Sequence, residues 1–310
     1  MIIRKKQLTA KMALAIGVLI LLFLLIRTFV NSDDGNGFIS PLPDEIIKVI
    51  TSNGKSKIDP AANQAQLLEQ IKKSFETEKG SYSIYIYDLK SDSGFGLNES
   101  AIFTAASVNK IYILAALYHQ ADQGKLDLDE DITIQSKDIQ DYGTGVIRYQ
   151  GAGTVYSLKT LAQLMIEKSD NTAAFVLTNI IGANTIQQLV NDWGFIQTDI
   201  DNNKSSNKDV AGMFLKIYRG EVTDQAHTQE MIGFMDDSDF ENRLPKDLPK
   251  NINVYHKIGS EVGVIHDAGI VDLPEHPYYI GVLTNDISDI EGTENKISEI
   301  SKMVFDYFNK

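Results

Sequence analysis

Three short motifs in this chain carry side chains that could perform acyl transfer. The first is Ser107-Val108-Asn109-Lys110, in the text AASVNK. A serine and a lysine at this spacing lie one turn apart on the same face of a helix. At the start of such a helix the macrodipole favours a developing alkoxide, and a desolvated lysine amine can take the hydroxyl proton. The plainer alternative is an early-turn polar serine beside a solvated lysine, since an isolated S-x-x-K is common.

The second motif is Ser169-Asp170-Asn171, in EKSDNTA. Asp170 or Asn171 would cap the helix that follows. Alternatively, Ser169 relays a proton and Asn171 hydrogen-bonds a substrate amide. The third is His256-Lys257-Ile258-Gly259-Ser260, whose surroundings read as a strand. Gly259 would let a substrate backbone approach the strand edge, with Lys257 supplying a cation. An edge strand guarded by a lysine is the other reading.

The elements around these motifs follow from periodicity. Leu67, Leu68, Ile71 and Phe75 predict a helix from about Gln64 to near Gly80. Tyr82 to Leu89 reads as a strand, turned by Asp92-Ser93-Gly94 into a second. Ile111 to Tyr118 is apolar on nearly all sides, which predicts a buried helix stopping at Gly124. Ser157 can cap a helix through Lys168, and another runs from about Thr172 to Ile181 before Gly182. Strands are expected at Asn253–Gly259, Ala268–Leu273 and Tyr278–Thr284, then a helix carrying Ile297, Ile300, Met303, Val304, Tyr307 and Phe308. The pattern implies an α+β fold: a mainly antiparallel sheet covered by N- and C-terminal helices, plus an all-helical lobe. A cleft between sheet and lobe is the expected place for chemistry.

The order S-x-x-K, S-D-N, K-x-G is the signature order of penicillin-recognising serine enzymes. From about Ser81 to Lys310 the chain resembles class A β-lactamases and β-lactamase-like serine hydrolases, in motif order and in the flanking text AASVNK, KSDNTA, HKIGS and HDAGIV. The resemblance implies that Ser107 attacks the carbonyl with Lys110 as base. Ser169, supported by Lys257, would pass the proton to the leaving nitrogen. It further implies that Asn171 and Gly259 contact the acyl donor and that the backbone N–H groups of Ser107 and Ser260 form the oxyanion hole. Tyr142 would stand at the cleft mouth, although a core or surface aromatic reads equally well there. No cofactor or metal is implied.

Two departures from that pattern stand out. The segment from Gly194 to Asp209 holds no glutamate to act as a deacylation base, and Asp199 and Asp201 are its only carboxylates before Asp209. Glu167 reads as a solvated helix-face residue. Ile258 replaces the usual hydroxyl residue between lysine and glycine, and Ile265 and His266 stand where the resemblance leads one to expect an arginine.

The front of the chain is different in kind. Met12 to Ile26 is an unbroken apolar run behind Arg4-Lys5-Lys6, extendable to Val30 if Arg27 snorkels. Positive residues before it and Asp33 and Asp34 after it predict a signal anchor with the N-terminus in the cytoplasm and the body outside. A cleaved signal peptide is the other reading, disfavoured because no A-x-A-like site follows the run. The expected organisation is a cytoplasmic tail 1–11, a transmembrane helix 12–30, a linker 31–63 and a hydrolase domain 64–310. The 310 residues carry a net charge of −13 and no cysteine. Disulfides and thiolate chemistry are thereby excluded, and the acidic body disfavours nucleic acid as a partner. Neither H-E-x-x-H nor a G-x-S-x-G elbow occurs, and His119, His227, His256, His266 and His276 are scattered. The expected substrate is a β-lactam or a related amide. A D-alanyl peptidase of peptidoglycan is the first alternative, and a non-catalytic cell-wall binding or sensing module the second.

Overall fold

The computed structural model describes residues 60–76 and 78–310. The expected tail, the membrane helix at 12–30 and the linker as far as residue 59 lie outside the described residues. Helix α1 (Pro60–Ser74) takes in positions 60–63, which the sequence reading assigned to the linker, and it ends before Gly80. Strands β1 (Ser81–Asp88) and β2 (Ser93–Leu97) form the expected hairpin. Strand β3 (Ile102–Thr104) leads into a 3-10 turn (Ala106–Asn109) and helix α2 (Lys110–Asp122). The lobe continues through β4 (Asp131–Thr133), α3 (Ile147–Gln150), β5 (Val155–Ser157), α4 (Leu158–Glu167), α5 (Asn171–Ile181) and α6 (Ala183–Asp192). It closes with β6 (Lys204–Ser206), α7 (Asn207–Tyr218) and α8 (Gln225–Asp236). Strands β7 (Val254–Glu261), β8 (Val264–Val271) and β9 (Tyr278–Asn285) precede the last helix, α9 (Ile290–Phe308).

The long strands make a five-stranded antiparallel sheet in the order β2-β1-β9-β8-β7. Alternation along β1 assigns its two faces: Ile84 and Ile86 join Ile71 of α1 and Ile297, Ile300 and Val304 of α9 in one core. Tyr85 points the other way, into a second core built from the lobe helices together with Ala268, Ile270 and Tyr279. Chain ends therefore cover one face and the lobe covers the other, as the element order predicted.

Helix α2 runs through the middle of the lobe core, with every residue from Lys110 to Tyr118 buried. Its apolar circumference has no solvent face to satisfy, which is why the sequence shows no amphipathic stripe there. Capping fixes the helices that carry the second motif. Ser157 Oγ accepts from Thr160 N at the start of α4, and Asp170 accepts from Ala173 N at the start of α5.

Strand β8 begins earlier than expected, at Val264 rather than Ala268. All eight of its residues are buried. It is sandwiched between β7 and β9 with both faces covered, so no alternation marks its start, and His266 and Asp267 disguise it further.

Candidate active site

The 3-10 turn presents Ser107. Its spacing to Lys110 eclipses the two side chains more closely than an α-helix would. The preceding residue, Ala106, sits at φ 48°, a left-handed conformation that a non-glycine residue adopts only when its surroundings hold it there. Two contacts do so. A Cβ on Gly259 would lie 3.1 Å from both the Ala105 carbonyl oxygen and Val108 Cγ2, so the strand presses directly on the turn. His266 Nε2 also donates to the Thr104 carbonyl at 2.6 Å, while its Nδ1 accepts from Thr284 N at 2.9 Å. That pairing fixes one neutral tautomer, and burial brings the imidazole down to about 4.

Ser107 is half-buried and lines a cleft of about 750 Å³ together with Lys110, Tyr142, Asn171 and Ser260. Its hydroxyl makes no hydrogen bond among the described residues, so it is open to an incoming carbonyl.

Lys110 and Lys257 approach the same hydroxyl from two sides. Lys110 Nζ donates to Ser169 O at 2.6 Å and to Asn171 Oδ1 at 2.8 Å, and reaches Ser169 Oγ at 3.3 Å. Lys257 Nζ donates to Ser169 Oγ at 3.0 Å and to Ile258 O at 3.2 Å. Neither lysine is a solvated surface residue, for both are buried. Burial lowers Lys110 to about 7, against an upward pull from Asp170. Lys257 is held well below its ordinary value by burial and by the charge of Lys110 beside it. Two amines that share one hydroxyl can pass a proton through it, with a neutral amine available near neutral pH.

Ser169 itself adopts φ 51°. It is held there by Thr144 Oγ1 donating to its carbonyl at 2.8 Å and by the Asp170 cap. Asp170 Oδ2 accepts from Val146 N and Ile147 N at 2.6 and 2.9 Å, so the capping residue also ties down the loop that carries Tyr142. The capping reading of this motif holds for Asp170, which leaves the side chains of Ser169 and Asn171 facing the lysines and the cleft. Asn171 Nδ2 donates to the Tyr142 carbonyl at 3.1 Å and sits against Gly143, whose φ of 69° and lack of Cβ the contact requires. The other Nδ2 hydrogen stays available to a ligand. The Tyr142 ring is 62% exposed at the rim.

Residues 66–308 match the model of the Beta-lactamase enzyme family. The chain belongs to that family. It is 22% identical over 278 residues to the extended-spectrum beta-lactamase PER-1 of Pseudomonas aeruginosa, covering 81% of this chain and 90% of that one. Among solved structures it resembles PBP-A with a TM-score of 0.73 and 28% identity, over 79% of this chain and 96% of PBP-A. A PBP-A mutant solved as an acyl-enzyme complex with penicillin G matches at 26% identity and a TM-score of 0.73, over 81% and 97% of the two chains. The protein is a class A β-lactamase-like serine hydrolase.

The eight residues singled out for acyl transfer or substrate contact converge on one place. Five line the cleft, Ser169 and Lys257 form its buried back, and Gly259 braces the nucleophile turn. The sequence reading missed a residue that the β-lactamase-like site does contain. An arginine expected on strand β8 is supplied instead by Arg243, in the segment between α8 and β7. The guanidinium is 4% exposed and donates to Ser260 Oγ at 2.7 Å, to Gly259 O at 3.1 Å and to His266 O at 2.6 Å. Glu294 on α9 pairs with it at 2.9 Å. Arg243 thus stands directly behind the hydroxyl of Ser260.

The carboxylates near the site are placed as follows. Asp199 closes a turn on Asn202, with Oδ1 accepting from its N at 3.0 Å and Oδ2 from its Nδ2 at 2.8 Å. Asp209 is buried and accepts from Gln197 N at 2.8 Å and Thr198 Oγ1 at 3.0 Å. Neither they nor Asp201 line the cleft. Glu167 is not the solvated residue expected from its helical position. It is buried at the end of α4, accepts from Gln163 Nε2 at 2.7 Å, and burial raises its carboxyl.

Proposed function

We propose that this chain is a membrane-anchored, extracytoplasmic serine hydrolase that forms an acyl-enzyme on Ser107 with β-lactams or related amides and releases it slowly. The observation that carries this reading is the convergence of Lys110 and Lys257 on Ser169 Oγ beside a free Ser107 hydroxyl. Ser107 Oγ attacks the carbonyl carbon as neutral Lys110 takes its proton. The oxyanion that forms is held by the N–H groups of Ser107 and Ser260. The proton then passes from Lys110 through Ser169 to the leaving nitrogen as the carbon–nitrogen bond breaks, with Lys257 stabilising the Ser169 oxygen during transfer.

Release requires a base to activate water, and the loop from Gly194 to Asp209 offers no carboxylate to the cleft. That arrangement supports slow release. The likeness to PBP-A supports a second reading, in which the same serine acts on D-alanyl peptides of peptidoglycan. Placement outside the cell rests on the apolar run from Met12 and its basic flank.

A fluorescent penicillin tests the chemistry. The expected result is a covalent band on the wild type that persists for minutes and is lost in Ser107→Ala. Turnover on the scale of seconds would overturn slow release, and absence of any adduct would overturn the acyl-enzyme reading itself. Fractionation of cells, followed by carbonate washing and external protease, tests the anchor. A protein released by carbonate or shielded from protease would contradict it.

A further inference from the structure

Opposite the lysine end, the cleft has an acidic end that the acyl-transfer chemistry does not use. Lys257, Gly259 and Glu261 alternate along β7 and so share one face of the strand. Gly259 packs on the nucleophile turn, which places Lys257 and Glu261 on either side of Ser107, about 13 Å apart along the strand. Glu261 is the only carboxylate among the residues lining the cleft. Among the described residues its one side-chain partner is Asn203, whose Nδ2 donates to Oε1 at 3.0 Å.

That bond sets the polarity of a chain of amides. A carboxylate only accepts, so Asn203 must turn its NH2 toward Glu261 and its carbonyl toward Asn109. Asn109 Nδ2 donates to that carbonyl at 3.0 Å, which turns its own Oδ1 away. Asn109 is 8% exposed, it lines the cleft beside Ser107, and its Oδ1 has no donor. The wall formed by Asn203 and Glu261 thus carries a negative charge with no cationic partner among the described residues, backed by the buried, unpartnered carbonyl oxygen of Asn109. Such a wall is matched by a positively charged ligand.

We propose that this wall is a subsite for a primary ammonium on the acyl portion of the substrate. The leaving-group portion lies at the opposite end, where Lys110 and Lys257 converge on Ser169 and a cation would be repelled. The substrate class is then an acyl donor with an anionic leaving group and an amine-bearing acyl side chain. The assignment of ends rests on the acyl-enzyme reading above; the ammonium subsite itself rests on the wall.

The test uses two penicillins whose acyl side chains end in a primary amine or in its acetamide. In the wild type at low salt, acylation by the amine should be about tenfold faster than by the acetamide. In Glu261→Gln the ratio should fall toward one, and added salt should reduce it in the wild type. A ratio near one in the wild type, or one unchanged in Glu261→Gln, overturns the subsite. Calorimetric binding of both compounds to Ser107→Ala separates the two proposals. If neither acylates the wild type, yet the amine binds Ser107→Ala more tightly and the added Glu261→Gln removes the difference, the acyl-enzyme reading falls and the subsite stands. Equal binding overturns the subsite whatever acylation shows.

Discussion

Acylation of Ser107 by an uncharged acyl donor should titrate with Lys110. Burial brings this amine to about 7, against the partial opposition of Asp170. Only the neutral amine accepts a proton, so the rate must rise with pH. One unit below the midpoint about one amine in eleven is neutral, and one unit above about ten in eleven are. The second-order acylation constant should therefore climb roughly tenfold between about pH 6 and pH 8. Lys110→Arg keeps the positive charge and can still donate toward Ser169 O and Asn171 Oδ1, but a guanidinium does not deprotonate. It should lower acylation by about 10²- to 10⁴-fold and abolish the rise with pH. Stopped-flow quenching with a chromogenic cephalosporin, under single-turnover conditions, reads both quantities. A flat wild-type profile across that range would refute the assignment of Lys110 as base. So would Lys110→Arg retaining more than about a tenth of the rate with its pH dependence intact.

Arg243→Ala strands Glu294 and leaves the Gly259 and His266 carbonyls without their donor, so it should cost about 3–5 kcal/mol in urea unfolding, with Arg243→Lys recovering only part. Gly259→Val drives a branched side chain into the Ala105 carbonyl and Val108, and should slow acylation more than about tenfold while far-UV circular dichroism is unchanged. Two buried histidines give stability opposite pH dependences on either side of pH 6.5. His266, lowered to about 4, contributes stability that is complete above pH 6.5 and lost as pH falls toward 4, worth roughly 3 kcal/mol. His256, raised to about 9 by Asp267 and Glu241 despite its burial, contributes a similar amount that is complete below pH 6.5 and lost as pH rises toward 9. Melting temperatures across that range should show the wild type losing its advantage over His266→Asn as pH falls below 6.5 and over His256→Asn as pH rises above it, and a difference that does not change with pH would contradict either assignment.

The parts of the site that could be read from the sequence share one property: their geometry is local. Ser107 and Lys110 are one turn apart, Ser169 and Asn171 flank a helix cap, and Lys257 and Gly259 alternate on a strand. In each case secondary structure alone determines the relative placement, and the expected fold follows because the same periodicities mark the elements. Helices α6 to α8 were not placed individually in the sequence, which showed only an all-helical lobe, since their boundaries depend on packing inside it. Arg243 belongs to a third kind. It lies in an irregular segment, far along the chain from the residues it touches, and no period or motif points from it to Ser260.

A signal was nevertheless present, in strand β8 rather than at Arg243. The run VIHDAGIV places a histidine and an aspartate inside an apolar strand. A strand buried on both faces cannot leave such groups unpaired, because an isolated buried charge costs far more than a surface one. Asp267 therefore requires partners from outside its own strand. It finds them in His256 Nδ1 at 2.8 Å and in Leu244 N at 3.0 Å. The second of these bonds fixes the residue next to Arg243 and so delivers the guanidinium to Ser260. The acid that made β8 hard to recognise as a strand is the same group that brings the missing arginine to the cleft.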